Sequence, residues 1–296
     1  MRVLITGATG YIGSSVLNAL LSRHHDVLAL ARSPEAIEKL SRLSIPSAQG
    51  DIHHPESVVA HLPKVDAVIH IADPNGNPEI GDRSLVLALL NAMNGTGKAL
   101  VYTSSTFVYG DTADAMPDET VATPRGFQPW RNDNERDLHA ATVRGVRSVV
   151  VRPPLVYGRG GGLTAQFLQG ARTQGAAMLV GQGDNRWSTV HVDDLADLYV
   201  LALEHAPAGS VYNAASGTIT MRALMTAIAH AAKAPGGVAS LSLEEAQQAM
   251  GPLAIGFVVS QEVNADKARR ELHWAPRQVD ILQDLTANAN ALGASA

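Results

Sequence analysis

Short apolar runs and helix-length amphipathic stretches take turns along the first half of the chain. Val3–Thr6, Val27–Ala31, Ala67–Ile71, Leu100–Thr103 and Ser148–Arg152 are strand-length and almost continuously apolar, the pattern of strands covered on both faces. Between them, segments near Ile12–Arg23, Pro34–Leu43, Pro55–His61, Ser84–Met93 and Arg131–Arg144 predict helices. Strand and helix in this alternation predict parallel pairing through right-handed crossovers, hence an α/β fold with a doubly wound parallel sheet.

After Arg152 the rhythm loosens. Gly158–Gly162 and Gly181–Asn185 mark turns, the first read as a flexible connection. A helix is expected over Asp193–His205, a strand over Ser210–Asn213 and a helix over Met221–Ala232. The expected organisation is a first domain over 1–155, rejoined by about 187–213, with a smaller C-terminal lobe from 156–186 and 214–296. Ala287–Ala296 has the small, polar composition of a frayed end.

Composition narrows the function classes. The 296 residues suit one large α/β domain with a lobe attached, and 46% hydrophobic residues suffice for its core. Aromatics are only 4%, so that core is mainly aliphatic. A net charge of -5 gives no reason to expect nucleic acid or an anionic membrane as partner. The absence of cysteine excludes disulfides, thiolate nucleophiles and thiolate metal sites. The opening apolar run is too short for a signal peptide, and polar residues flank Leu85–Leu90, so a cytoplasmic location is expected. The pairs His24-His25 and His53-His54 have no third ligand at a supporting spacing and read as surface residues. In His191-Val-Asp193-Asp194, Asp193 reads as a helix cap, and no metal is expected.

The first strand runs directly into Thr6-Gly-Ala-Thr-Gly-Tyr-Ile-Gly13. Gly7 permits a tight turn, Gly10 lets backbone approach a pyrophosphate, and Gly13 lets helix and strand close together. Gly7, Thr9, Gly10, Tyr11, Ile12 and Gly13 are therefore candidate contacts for a dinucleotide at a helix N-terminus. The second strand ends in Ala31-Arg32, where an NAD-selective fold places Asp or Glu. Arg32 there suits the 2′-phosphate of NADP(H), unless it is simply a solvated loop residue.

Further motifs follow in order: Gly50-Asp51-Ile52, Val68-Ile-His-Ile-Ala72, Val101-Tyr-Thr-Ser-Ser-Thr-Phe-Val-Tyr-Gly110, Val151-Arg-Pro-Pro-Leu-Val-Tyr-Gly158, Val190-His-Val-Asp-Asp-Leu-Ala196 and Leu272-His-Trp-Ala-Pro276. With the glycine loop they span nearly the whole chain, and together they resemble the extended short-chain dehydrogenase/reductase family. The resemblance implies that Asp51 hydrogen-bonds the adenine, with Ile52 beside it, and that Ile71, Ala72 and Thr103 line the cofactor. Pro153 to Leu155 would pass the nicotinamide. Asp51 as a cap, and Ile71 and Ala72 as plain core, are the bland alternatives.

The family's chemistry uses a Ser or Thr after the fifth strand, then a Tyr and a Lys four residues apart. Ser105 matches the first, although a serine there can also just satisfy the following turn. The Tyr position holds Phe127 and the Lys position Arg131; the alternative register, Trp130 and Asn134, restores no tyrosine and leaves Glu135 unmatched. Phe127 has no proton to give, and Arg131 can bind ribose hydroxyls but not transfer a proton. The chain thus resembles the atypical branch of the family. Tyr109, Tyr157 or a water are the remaining proton sources.

Ser105 and Arg131 are the candidate catalytic residues, and Ser105, Phe127, Arg186 and Trp187 the candidate substrate contacts, with a salt-bridged loop residue the equal alternative for Arg186. The apolar stretch Gly251–Val259 hints at a substrate other than a sugar. Relatives dimerise through the helices at Ser84–Met93 and Arg131; the second is polar in its first turns here, which suits a weak homodimer or a monomer. Three functions fit: an NADP(H)-dependent oxidoreductase acting on a carbonyl or related unsaturated group of a small metabolite, a cofactor-retaining isomerase or lyase, or a non-catalytic NADP-binding sensor.

Overall fold

A computed structural model describes residues 1–73, 77–123 and 126–288. In chain order its elements are β1 (Arg2–Thr6), α1 (Tyr11–Ser22), β2 (Asp26–Ala31), α2 (Pro34–Arg42), β3 (Ser47–Gln49), α3 (Pro55–Val59), β4 (Ala67–His70), α4 (Pro78–Ala92), β5 (Ala99–Thr103), α5 (Pro129–Ala141) and β6 (Arg147–Arg152). Then come β7 (Leu155–Tyr157), α6 (Gly162–Gln174), β8 (Ala177–Val180), β9 (Arg186–His191), α7 (Val192–His205), β10 (Ser210–Asn213), β11 (Gly217–Thr220), α8 (Met221–Ala232), β12 (Val238–Leu241), α9 (Leu243–Met250), α10 (Asp266–Leu272) and α11 (Ile281–Asn288).

Seven strands form the main sheet in the order β10-β6-β5-β4-β1-β2-β3, all parallel. The expected doubly wound Rossmann-type sheet is the fold observed. Alternate strand residues feed opposite faces. Val3, Ile5, Val101 and Val149 join α1 and α7 on one side, while Leu4, Val68, Leu100 and Val150 join α3, α4 and α5 on the other. That two-sided burial is why the strands read as continuous apolar runs.

The strand order reverses between β1 and β4, where Thr6 stands opposite His70. At this switch point the connections leave in opposite directions, and a crevice opens beyond the carboxyl ends of the two strands.

The smaller sheets were not legible in the sequence. β7, β9 and β11 form one three-stranded sheet, and β8 pairs with β12. They are short and joined by residues far apart in the chain. β3 was missed because Ser47-Ala-Gln49 has no apolar run; it is held as the edge strand against β2.

Several local expectations are corrected. His25 is buried, with Nε2 3.0 Å from Glu204 Oε1, not a surface residue. The cap of α7 is His191, whose Nδ1 accepts the Asp193 N–H at 3.1 Å; Asp193 lies in the first turn and pairs with Arg159 at 2.6 Å. The Gly158–Gly162 connection is pinned: Tyr11 donates to the Gly158 carbonyl at 2.9 Å, and a Cβ on Gly161 would fall 2.2 Å from the Tyr11 ring. Ala287 and Asn288 close α11, and the rest of the expected frayed end, 289–296, lies outside the described residues. No helix among the described residues is long and apolar enough to cross a membrane.

Candidate functional site

The first turn of α1 supplies the anion-binding end of the crevice. Gly7 has φ +74° and a Cβ there would sit 2.9 Å from Ala72 Cα, so the turn accepts only glycine without a shift. Gly10 caps α1 with no side-chain hydrogen bond, and the first turn holds no acidic residue. Its amides are therefore left for an external anion, with the positive end of the helix dipole behind them.

A cavity of about 500 Å³ lies over this turn. Its wall includes Gly7, Thr9, Gly10, Tyr11, Ile12 and Gly13 from the loop, Arg32 after β2, Asp51 and Ile52 after β3, and Ile71 and Ala72 after β4. Four distant stretches singled out in the sequence are thus brought to one crevice. Arg32 is exposed and has no hydrogen-bond or ion-pair partner among the described residues. Two neighbours escaped the sequence reading: Ser33, which lines the cavity and caps α2 through the Ala36 N–H, and Lys39, whose Nζ donates to the Thr9 carbonyl at 3.2 Å.

Thr103, Arg131, Pro153 and Leu155 lie outside that cavity wall, toward β5 and β7. Thr103 Oγ1 donates to the His70 carbonyl at 2.8 Å and accepts from the Tyr199 hydroxyl at 2.6 Å, and the Thr103 carbonyl accepts from the Arg131 guanidinium. The Pro153 carbonyl accepts the Thr106 N–H at 3.1 Å. Ser105 Oγ accepts the Phe107 N–H at 3.1 Å as the cap of a short 3-10 turn, Thr106–Tyr109, which leaves its own proton available.

At the start of α5, Arg131 Nε, Gln128 Oε1, Trp130 Nε1 and Asn132 Oδ1 are all buried without a hydrogen-bond partner among the described residues. Native interiors seldom leave polar atoms in this state, and a bound group is one way to satisfy them. Phe127 is 40% exposed and meets Phe107 edge-on at 6.0 Å. Arg186 is held by Glu262, with Nε 2.8 Å from Oε2, and Trp187 is buried with its Nε1–H on the Val259 carbonyl at 3.0 Å.

None of the tyrosines weighed as proton donors faces Ser105 freely. Tyr109 receives Arg152 at 2.6 Å, lies within 3.1 Å of Asn213 Oδ1 and donates to the Asp118 carbonyl at 3.0 Å. Tyr157 donates to the Gln278 carbonyl at 2.6 Å. Burial raises the pKa of both hydroxyls. Among the described residues no cluster of His, Asp and Glu could hold a metal ion.

A buried relay ties the glycine loop to α4 and α5. Thr6 Oγ1 accepts the N–H groups of Ile71 and Ala72, both at 3.1 Å, so its own proton goes to His70 Nδ1 at 2.7 Å. His70 then presents Nε2–H to Asp82 at 3.0 Å, and Tyr102 donates to the same carboxylate at 2.6 Å. Burial opposes the charge on Asp82, but the hydrogen bond from His70, followed by the nearby charge of Arg131 and the Tyr102 hydroxyl, holds its pKa below the usual carboxylate range. A depressed carboxyl pKa contributes stability above the unfolded value, near ~4, that is lost as pH falls through the folded value. We predict that Asp82→Asn lowers stability at pH 7 but flattens the acid limb. Urea midpoints at pH 7 and pH 3 check this, and an equal loss at both pH values contradicts it.

The fold and the crevice define a Rossmann-type nucleotide-binding architecture. Residues 3–215 match the model of the NAD dependent epimerase/dehydratase family, and the chain belongs to that family. The extended short-chain dehydrogenase/reductase resemblance read from the motifs agrees with this membership. The chain is 30% identical to a 2-alkyl-3-oxoalkanoate reductase of Stenotrophomonas maltophilia, over 79% of this chain and 77% of that one. It is 28% identical to a 4-hydroxy-2-methyl-3-oxo-4-farnesyl-3,4-dihydroquinoline-1-oxide ketoreductase of Stigmatella aurantiaca, over 94% and 92%. A UDP-glucose 4-epimerase of Thermus thermophilus, in complex with NAD, superposes with a TM-score of 0.82 at 22% identity, covering 100% of both chains.

Proposed function

We propose that the protein is an NADP(H)-dependent oxidoreductase that reduces a carbonyl, or a related unsaturated group, of a small metabolite. The observation that carries this reading is the buried, unpartnered Nε of Arg131 at the head of α5, on the β5 side of the dinucleotide crevice. The two reductases similar to this chain support it.

The residues present fit such a cofactor. Gly7, Thr9, Gly10, Tyr11, Ile12 and Gly13 would take the pyrophosphate, Asp51 and Ile52 the adenine, and Arg32 with Ser33 the 2′-phosphate. Ile71, Ala72, Thr103, Pro153 and Leu155 would line the nicotinamide side, with Arg131 at the ribose. When bound, the nicotinamide supplies the hydride. Ser105 would donate its free proton toward the substrate oxygen, while the fixed charge of Arg131 offsets the negative charge gathering nearby. The alkoxide then takes its proton from water, since Phe127 carries none and the Tyr109, Tyr157 and Tyr199 hydroxyls are engaged elsewhere. Phe127 and Trp187 would form apolar walls. Arg186 pairs with Glu262 through Nε and Nη2 and is half-exposed, so its Nη1 would be the group left for a polar substrate.

Absorbance at the nicotinamide band, read with a panel of carbonyl compounds, tests the reading through net NADPH consumption. Phe127 in the acid's position keeps two rivals in view. Turnover without net consumption identifies a cofactor-retaining isomerase or lyase, and tight binding without turnover a sensor. Arg32→Ala is expected to weaken NADPH binding by roughly ten- to a hundredfold, the worth of a charge-assisted hydrogen bond, and to leave NADH binding unchanged. Tighter binding of NADH by the unmodified protein, or an Arg32→Ala variant that spares NADPH, refutes the preference.

A further inference from the structure

The chain has only four phenylalanines, and all four stand in one file with Trp187. Phe127 meets Phe107 at 6.0 Å, Phe107 meets Trp187 at 5.8 Å, Trp187 stacks on Phe257 at 5.9 Å, and Phe257 meets Phe167 at 5.9 Å. The file starts beside Ser105, whose Oγ holds the Phe107 N–H. It ends at a second cavity, of about 150 Å³, bordered by α6, β8, α8 and α9.

Phe167, Met178, Met225, Leu241, Met250 and Phe257 make most of that cavity's wall, and no charged side chain lines it among the described residues. A largely apolar pocket of this size suits a hydrocarbon chain, whose burial removes apolar surface from water, and methionine walls adjust to the shape of what enters. A sugar or nucleotide placed there would lose most of its hydration with only the Gln166 and Gln174 amides to replace it. The segment above it, Gly251–Phe257, presents Leu253 at 77% exposure and Ile255 at 37%, an apolar lip.

We propose that this cavity is a binding site for the unbranched hydrocarbon tail of the carbonyl substrate, reached along the aromatic file. The location of the carbonyl rests on the reductase reading above. Two ring-to-ring steps, of 5.8 and 5.9 Å, separate Phe107 from Phe257. An extended chain advances ~1.2 Å per bond, as in a polypeptide at ~3.5 Å per three-bond residue, so on the order of ten carbons reach the cavity.

Gly170 offers a clean way to fill it. This residue lies in α6 and lines the cavity, and a Cβ built on it meets nothing within 4 Å. Leucine there gains helix propensity over glycine, so Gly170→Leu blocks the space without harming the fold.

The experiment compares kcat/KM with NADPH for straight-chain methyl ketones from 2-hexanone to 2-hexadecanone, so that the longer members extend past the roughly ten carbons of the approach and into the cavity. In the unmodified protein the value rises with length, by roughly fourfold for each methylene that enters the cavity. Gly170→Leu keeps the 2-hexanone value and loses the rise. A flat series in the unmodified protein, or an unaltered rise in the variant, overturns the proposal. Failure of the reductase reading looks different, because no ketone then consumes NADPH. In that case intrinsic tryptophan fluorescence is followed during titration with 1-hexanol and 1-decanol. Binding that strengthens with length and is abolished by Gly170→Leu upholds the site; no binding, or binding the variant keeps, overturns it.

Discussion

Gly13→Ala will weaken dinucleotide binding severely while leaving the sheet folded. The added methyl would lie 1.9 Å from the Gly7 carbonyl oxygen and 3.2 Å from Ala8 Cα, both backbone atoms with no rotamer to yield. Relief requires α1 to move away from β1, which pulls the helix amides off the position a pyrophosphate needs. We expect the dissociation constant for NADPH to rise on the order of 100-fold or more, about 2.7 kcal/mol or above. Calorimetric titration of both proteins measures it, with far-ultraviolet circular dichroism as the control for folding. An unchanged constant means that the ligand does not sit where the loop meets the helix.

The second large effect is on stability. Glu135 and Arg152 are 8% and 4% exposed and share two hydrogen bonds, at 3.0 and 2.5 Å. Ser104 donates to the same carboxylate, and Arg152 also donates to Tyr109 at 2.6 Å. The pair joins α5 to β6 beneath the head of the helix that carries Arg131. Glu135→Ala strands a guanidinium inside the protein, and losing one member of a buried pair costs about 3–5 kcal/mol. For a chain of this size that lowers Tm by roughly 10 °C. Replacing both residues, Glu135→Met with Arg152→Met, should recover most of the loss, because no charge is then left uncompensated. Thermal melts of the two variants decide the matter: a single variant within about 1 kcal/mol of the parent contradicts the account.

The parts of this molecule that were legible in its sequence are those that local pattern encodes. Val3–Thr6 and its counterparts are buried on both faces and so advertise themselves as apolar runs, and Gly7, Gly10 and Gly13 mark their turn by spacing. The crevice could be assembled from Arg32 and Ala72 because each follows a recognisable strand, and from Asp51 because the motif Gly50-Asp51-Ile52 resembles the family's. What stayed hidden depends on residues meeting across the chain. For Arg186, local pattern left substrate binding and a salt bridge as equal alternatives, because the partner that decides between them, Glu262, comes 76 residues later. His25 looked like a surface residue because Glu204 lies 179 positions away. The aromatic file has no period at all, since its members are Phe107, Phe127, Phe167, Trp187 and Phe257. Asp193 was expected to cap its helix on residue type, whereas the fold places His191 with the geometry to do so.

The ring of Tyr11 fills the space that Cβ atoms would occupy on Gly161 and Gly162, and its hydroxyl is bonded to Gly158. The same residue borders the dinucleotide crevice. One side chain is therefore a wall of the first compartment and a latch on the strap that leads into α6, which borders the second. The crevice wall and the approach to α6 share a residue, and a substitution at Tyr11 is felt on both sides at once.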